Sequence, residues 1–145
     1  MVHVESAIEV TGPPPERVFD FLVDFRNESE WDDFNRDIRK TDESPVGLGS
    51  RFTAQNGKLG PVEVEITDYA RPTRYAYAID SSMGRMVFTA VLSATAGGTR
   101  VATTNDLRPR GRYRLLAPLI GAMMRRQQPG HQAKLARHLE ASLTP

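Results

Sequence analysis

The stretch IEVTGPPPERVFDFLVDFRNESEW, Ile8 to Trp31, carries the first decision about the fold. Its opening residues close a segment, Val2 to Val10, in which Val2, Val4, Ile8 and Val10 alternate with His3, Glu5 and Glu9. A period of two is the mark of a half-buried strand. Gly12 and the three prolines stop it. Pro14 or Pro15 suits the first turn of a helix, where the missing N–H leaves no bond unmade and φ is already set. Val18, Phe21, Leu22 and Phe25 follow at helical spacing, with Glu16 at the positive end of the helix dipole. Asn27, with Glu30 three residues on, reads as the cap of a second, very short helix whose apolar residues are Trp31 and Phe34.

Beyond Ile38 the period falls to two again. Gly47 and Gly49 open a strand through Phe52, and Asn56-Gly57 and Gly60-Pro61 are turn signals. VEVEI (Val62 to Ile66) alternates strictly, Arg71-Pro72-Thr73 turns the chain, and YAYAI (Tyr75 to Ile79) alternates large and small. A turn at Met83-Gly84, a strand from Met86 to Leu92, a hairpin loop at Gly97-Gly98 and a last strand from Val101 to Leu107 complete the series. Connections this short imply antiparallel neighbours.

The remainder reads as one long helix. Leu116, Leu119, Ile120, Met123 and Met124 recur at helical spacing, and Leu135, Leu139 and Leu143 continue the stripe. From Met124 to Leu135 the turn of 100° per residue comes back to within about 20° of the same direction, so the stripe keeps its phase across Pro129-Gly130. A kink or break is expected at that proline. Charge is uneven: residues 106–145 hold eight Lys/Arg against Asp106 and Glu140, whereas the rest of the chain has a net charge of −5. Arg108, Arg110, Arg112 and Arg114 lie within seven residues, with Arg125-Arg126 further on. Such a cluster suits the solvated face of a terminal helix, or an acidic ligand or anionic surface. With only Tyr113 interleaved as a stacking group, no nucleic acid is expected.

At 145 residues, 39% apolar and 26% charged, the chain has the composition of a globular protein. No apolar run approaches the ~20 residues of a membrane span. The first residues, Met1-Val2-His3-Val4-Glu5, have no basic segment followed by an apolar one, so no secretory signal is expected. A cytoplasmic location follows by default. The absence of cysteine excludes disulfides and thiolate metal sites.

The order of elements, with Ile8, Pro14, Val18, Phe19, Asp24 and Trp31 where they stand, resembles the START-like (SRPBCC) superfamily, in its polyketide cyclase/dehydrase and lipid-transport branch. Gly49, the segment ITDYARPTRYAY and AGGTRV before the last strand add to the likeness, which covers residues 1–145 as one START-like ligand-binding domain. The resemblance implies an α+β helix-grip fold: a seven-stranded curved antiparallel sheet wrapped around a long C-terminal helix, with two short helices after strand 1. It also implies an apolar cavity between sheet and helix for lipids, polyketides, hormones or isoprenoid-like molecules, and a tryptophan, Trp31, that packs over the end of the sheet or touches ligand at the mouth.

On alternation, one sheet face would present Phe52, Val64, Ile66, Tyr75, Tyr77, Ile79, Phe88, Val101 and Thr103 to that cavity, opposite Met123, Met124, Leu135 and Leu139. Tyr75 and Tyr77 share one face of one strand. Their hydroxyls need partners, either backbone or ligand oxygens. His131 falls on the inward stripe if the helix persists, where a neutral imidazole can act as acid or base. Tyr75, Tyr77 and His131 are therefore the candidates for proton transfer. His131 and His138 without matched carboxylates make a poor metal site, so neither metal nor cofactor is expected. Nothing resembles a nucleophile elbow, a phosphate loop or a paired-carboxylate site. Three functions stay open. The favoured one is binding of a small hydrophobic or aromatic molecule; a cyclase or dehydratase using the same cavity, and a small regulatory or stress protein acting through protein contacts, are the others. A homodimer stays open too.

Overall fold

The computed structural model describes residues 1–143. Strand β1 (Val2–Thr11) is followed by helix α1 (Pro15–Val23), a 3-10 helix (Phe25–Glu30), and strands β2 (Asn35–Lys40), β3 (Arg51–Asn56), β4 (Gly60–Ala70), β5 (Arg74–Ser81), β6 (Gly84–Thr95) and β7 (Gly98–Pro109). A short 3-10 helix (Gly111–Arg114) leads into helix α2 (Ala117–Leu143). The seven strands form one antiparallel sheet in the order β1-β7-β6-β5-β4-β3-β2. Every neighbour except the β1–β7 pair is also a neighbour in sequence, which is the consequence of the short turns. The register shifts between Ile66 and Asp68 in β4 and between Arg36 and Arg39 in β2. Such bulges bend a strand and deepen its twist. With α2 lying against β1, this is the α+β helix-grip architecture.

Local chemistry accounts for the joints. Pro15 opens α1 at its first turn, as the prolines imply. The 3-10 helix that follows is capped by Asp24, whose carboxylate accepts from the Arg26 N–H at 3.1 Å, and not by Asn27 as the spacing to Glu30 predicts. Asn27 instead donates to the Phe21 carbonyl at 2.9 Å and closes the end of α1. At the start of β7, a Cβ on Gly98 would lie 2.0 Å from the Val10 carbonyl oxygen, so only glycine lets β7 approach β1 there.

Helix α2 runs unbroken through Pro129. Pro129 and Gly130 are both exposed, so the carbonyl freed at Arg125 faces water rather than core. Ile120, Leu135 and Leu139 are buried, and Thr11 N–H donates to Glu140 at 2.8 Å, tying the far end of α2 to β1. Two core clusters result. The larger joins α1, the sheet and the C-terminal half of α2 around Phe19, Phe52, Ile66, Tyr75, Tyr77 and Leu139. The smaller joins Val2, Val4, Leu107 and Ile120 at the start of α2.

The sequence places Leu116, Leu119 and Met123 on the inward stripe; the structure turns all three outward, Met123 at 45% exposure and Leu119 at 66%. The cause is rotational. Ile120, Gly121, Leu135 and Leu139 fix the buried face, and Leu119 lies about 160° from Gly121 and Leu139 around the axis. Met124 stays half-buried against Val2, Val4, Leu107 and Ile120.

Candidate functional site

The inner face of β5 carries Tyr75, Tyr77 and Ile79, opposite Ala90, Phe88 and Met86 of β6, which in turn face Thr103, Asn105 and Leu107 of β7 and then Ser6, Val4 and Val2 of β1. Most of the residues that alternation points inward are buried there: Phe52, Val64, Ile66, Tyr75, Tyr77, Val101 and Thr103, with Leu135 above them. Ile79 and Phe88 are half-buried. Ring contacts knit this floor together, Tyr75 to Tyr77 at 5.2 Å, Tyr77 to Phe88 at 5.8 Å and Phe19 edge-on to Tyr75 at 5.6 Å.

The two tyrosines do different things. The Tyr77 hydroxyl donates to the carbonyls of Leu22 and Val23, at 2.7 and 2.8 Å. These are last-turn carbonyls of α1 with no intrahelical donor, so Tyr77 closes that helix. Burial holds its proton firmly, pushing the pKa well up. Tyr75 is 2% exposed, yet its hydroxyl has no partner among the described residues. Burial, and then the charge of Glu28, push its pKa up as well. Tyr77→Phe is therefore expected to lose about 1–3 kcal/mol of stability, because it strands buried carbonyls, whereas Tyr75→Phe is expected to cost well under 1 kcal/mol. Urea titrations of the two variants check this; equal losses would contradict the assignment.

Polar side chains interrupt the apolar face next to α2. Ser6 lies between Val4 and Ile8, and Thr103 and Asn105 lie between Val101 and Leu107. Ser6 and Thr103 hydroxyls are 3.1 Å apart, and Gln128 of α2 donates to Ser6 at 3.2 Å. Asn105 and Gln132 are 7% and 8% exposed, and neither side chain has a hydrogen-bond partner among the described residues. None of the described buried polar atoms is sealed off without a partner, so these amides open on space rather than on packed core. Gln132 lines a groove of about 480 Å³ between β1 and α2, together with Val4, Ser6, Ile8, Gln128 and Ala136 and the charged Arg125, Glu5 and Glu9. The groove mixes apolar side chains with polar and charged ones in equal number. A second depression, of about 460 Å³, crosses the outer sheet face at Thr89, Arg100 and Thr104. Phe52, Val64, Ile66, Tyr75 and Tyr77 do not line the groove; it sits one edge away from them.

A second polar set stands where the first 3-10 helix meets α2. Trp31 is half-buried, its ring 4.8 Å from that of His131 and tilted to it, and Phe34 stacks on the same imidazole at 5.5 Å and 15°. His131 Nε2 is 4.0 Å from the carboxylate of the buried Asp32, which also accepts from the Phe34 N–H at 3.0 Å. Burial lowers the His131 pKa, Asp32 opposes that and Lys134 reinforces it. The half-buried Glu28, four residues before Asp32, accepts from Asn35 at 3.1 Å, and Asn35 accepts from Asn56 at 3.0 Å. Burial first and Asp32 second push the Glu28 carboxyl up to about 7, against the Asn35 bond. The carboxylate pair that no sequence motif announces is thus present as Glu28 and Asp32, beside one imidazole. Its only prior sign is the four-residue spacing.

Residues 1–144 match the family described as polyketide cyclase/dehydrase and lipid transport. The chain belongs to that family. Among solved structures, it is similar to protein MLL2253 from Mesorhizobium loti, 20% identical with a TM-score of 0.71, over 97% of this chain and 98% of that one. It is also similar to DynU16 of the dynemicin biosynthetic locus, 16% identical with a TM-score of 0.68, over 97% of this chain and 48% of that one. A third is the Aha1 dimer of Colwellia psychrerythraea, 16% identical with a TM-score of 0.67, over 97% of both chains. At these identities the likeness is one of fold. Comparison with curated proteins returns no match.

Proposed function

We propose that this member of the polyketide cyclase/dehydrase and lipid-transport family binds a small, largely apolar molecule between β1 and α2, and that the polar side chains of the inner sheet face grip its hydrogen-bonding end. The observation that carries this reading is the buried amide of Gln132, which has no partner among the described residues and lines the groove; Asn105, equally unpartnered, stands opposite Val4 of the groove wall in the β1–β7 register. Amides that open on such space have only water to bond, and a ligand carbonyl or hydroxyl would take that water's place. Tyr75, whose hydroxyl has no partner among the described residues, and Thr103 flank Ala90 on the same sheet face. Trp31, His131 and Phe34 would close the end of the site nearest the first 3-10 helix.

The test is recovery of the protein from its native extract, identification of any co-purified small molecule by mass spectrometry, and titration of that compound back into native protein and Gln132→Leu. Saturable binding, about tenfold weaker in the variant, is expected. No co-purified compound, or equal affinity in both proteins, would overturn the reading.

Glu28 favours one second reading, proton transfer on the bound molecule. A carboxyl titrating near neutrality can both give and take a proton at pH 7, which an ordinary surface glutamate cannot. Conversion of the recovered compound, lost in Glu28→Gln while binding persists, would mark an enzyme rather than a carrier.

A further inference from the structure

The first two turns of α2, Ala117 to Met124, are apolar all round. Ile120 and Met124 face the sheet through the smaller core cluster. On the other side Leu115 is 86% exposed, Leu119 66%, Met123 45% and Leu116 43%. A helix that is apolar on both faces is ordinarily covered on both. Contiguous large apolar side chains on a protein surface mark a contact site.

The rim of this patch decides what covers it. Arg108, Arg112, Arg114 and Arg126 are exposed and lie within 4.0 Å of no carboxylate among the described residues. Arg112 lies 5.5 Å above the Tyr113 ring, and Tyr113 is itself packed into the smaller core cluster, which braces the basic loop against the fold. Nearby acids are already engaged: Asp106 with His3, and Asp80 with Arg85 and Arg110. The patch is therefore leucine and methionine framed by free guanidinium groups. A second copy related by a two-fold axis would bring two such frames together, like charge against like. Nucleic acid would satisfy the arginines but not the leucines. No described helix is long and apolar enough to cross a membrane, so a lipid contact here would lie in the interface plane.

We infer that the basic loop Arg108–Arg114 and the outward face of Leu115, Leu119 and Met123 form a docking surface for an anionic lipid bilayer, the leucines inserting among the acyl chains while the arginines meet the headgroups. The inference stands apart from the ligand site, since none of these residues lines the groove.

Vesicle flotation tests it, using unilamellar phosphatidylcholine vesicles with and without 30 mol% phosphatidylglycerol, at about 0.1 M salt. Native protein is expected to float with the anionic vesicles and to stay behind with pure phosphatidylcholine. Each arginine near an anionic surface contributes about a fivefold change in partition, so Arg112→Ala with Arg114→Ala should weaken it roughly thirtyfold. Leu115→Asp with Leu119→Asp should abolish flotation, with circular dichroism unchanged because both positions are exposed. Glycerol phosphate at millimolar concentration should not release the protein, which separates a bilayer from a free phosphate site. Failure to float, release by glycerol phosphate, or flotation indifferent to the two leucines would each overturn the inference. So would a monomer–dimer shift in the leucine variant by analytical ultracentrifugation, or DNA binding that matches vesicle binding and ignores the leucines.

Discussion

Replacing Glu28 with glutamine is expected to stabilise the protein at pH 8 by up to about 3 kcal/mol and to leave it nearly unchanged at pH 4. The Glu28 carboxyl is half-buried, lies beside Asp32 and accepts one hydrogen bond from Asn35. Burial, then Asp32, raise its pKa from 4.5 to about 7 in the folded state. Below pH 4.5 the folded and unfolded chains both carry the proton, and its position has no effect on stability. Between 4.5 and about 7 the folded state keeps a proton that the unfolded chain has released, so unfolding becomes easier with each step up in pH. Above about 7 the whole penalty is present. Glutamine has the same shape, can accept from Asn35 and carries no charge. His131 works in the opposite window: its lowered pKa means the folded state sheds the proton first, so acidification below the ordinary value of 6.5 destabilises. Comparing native and Glu28→Gln protein at each pH removes the histidine contribution. Urea denaturation at pH 4, 6 and 8 provides the comparison. Equal stabilities at pH 8 would mean that the carboxylate is solvated, and the second functional reading would fall with it.

Leu139→Ala is expected to cost about 2–5 kcal/mol, a large share of the roughly 5–15 kcal/mol by which a domain is folded. Leu139 is fully buried on the sheet-facing side of α2 and belongs to the core cluster that joins the helix to α1 and the sheet. Few other side chains hold α2 down: Ile120 and Leu135 are the remaining buried large apolar residues on that helix. The loss should appear as a melting temperature lower by roughly 5–20 °C. Leu119→Ala is the control. Its side chain is 66% exposed, and the substitution should change stability by about 0.5 kcal/mol or less. A calorimetric scan in which both variants melted alike would mean that the rotational setting of α2 is wrong.

The architecture was legible because its signals are local. Alternation from Val2 to Val10, prolines before Val18, glycines where a strand must approach another closely, and the turn residues between strands each act within a few positions. The rotation of α2 was not local. Leu116, Leu119 and Met123 fit a helical stripe as well as Ile120, Leu135 and Leu139 do, and only contact with Val2, Val4 and Leu107 chooses between them. Nor could the prolines and Asn27 reveal that Asp24 caps the first 3-10 helix, because both residues are good caps and tertiary contact assigns Asn27 to Phe21. The groove was half visible. Ser6, Thr103 and Asn105 stand at inward positions of otherwise apolar faces, and a polar residue in such a place asks for a partner. The pairing of Glu28 with Asp32 and His131 depends on α2 crossing the end of the first 3-10 helix, which no single segment encodes.

The central claim is that the space between β1 and α2 takes a small apolar molecule with a polar end. It is tested most directly by 1H–15N correlation spectra of labelled protein titrated with 2-naphthol, a rigid apolar probe with one hydroxyl. Saturable shifts concentrated at Ser6, Asn105, Gln128 and Gln132 and in their side-chain amides are the predicted result. Spectra unchanged up to the solubility limit of the probe, or shifts confined to the outer face around Thr89 and Arg100, would contradict it.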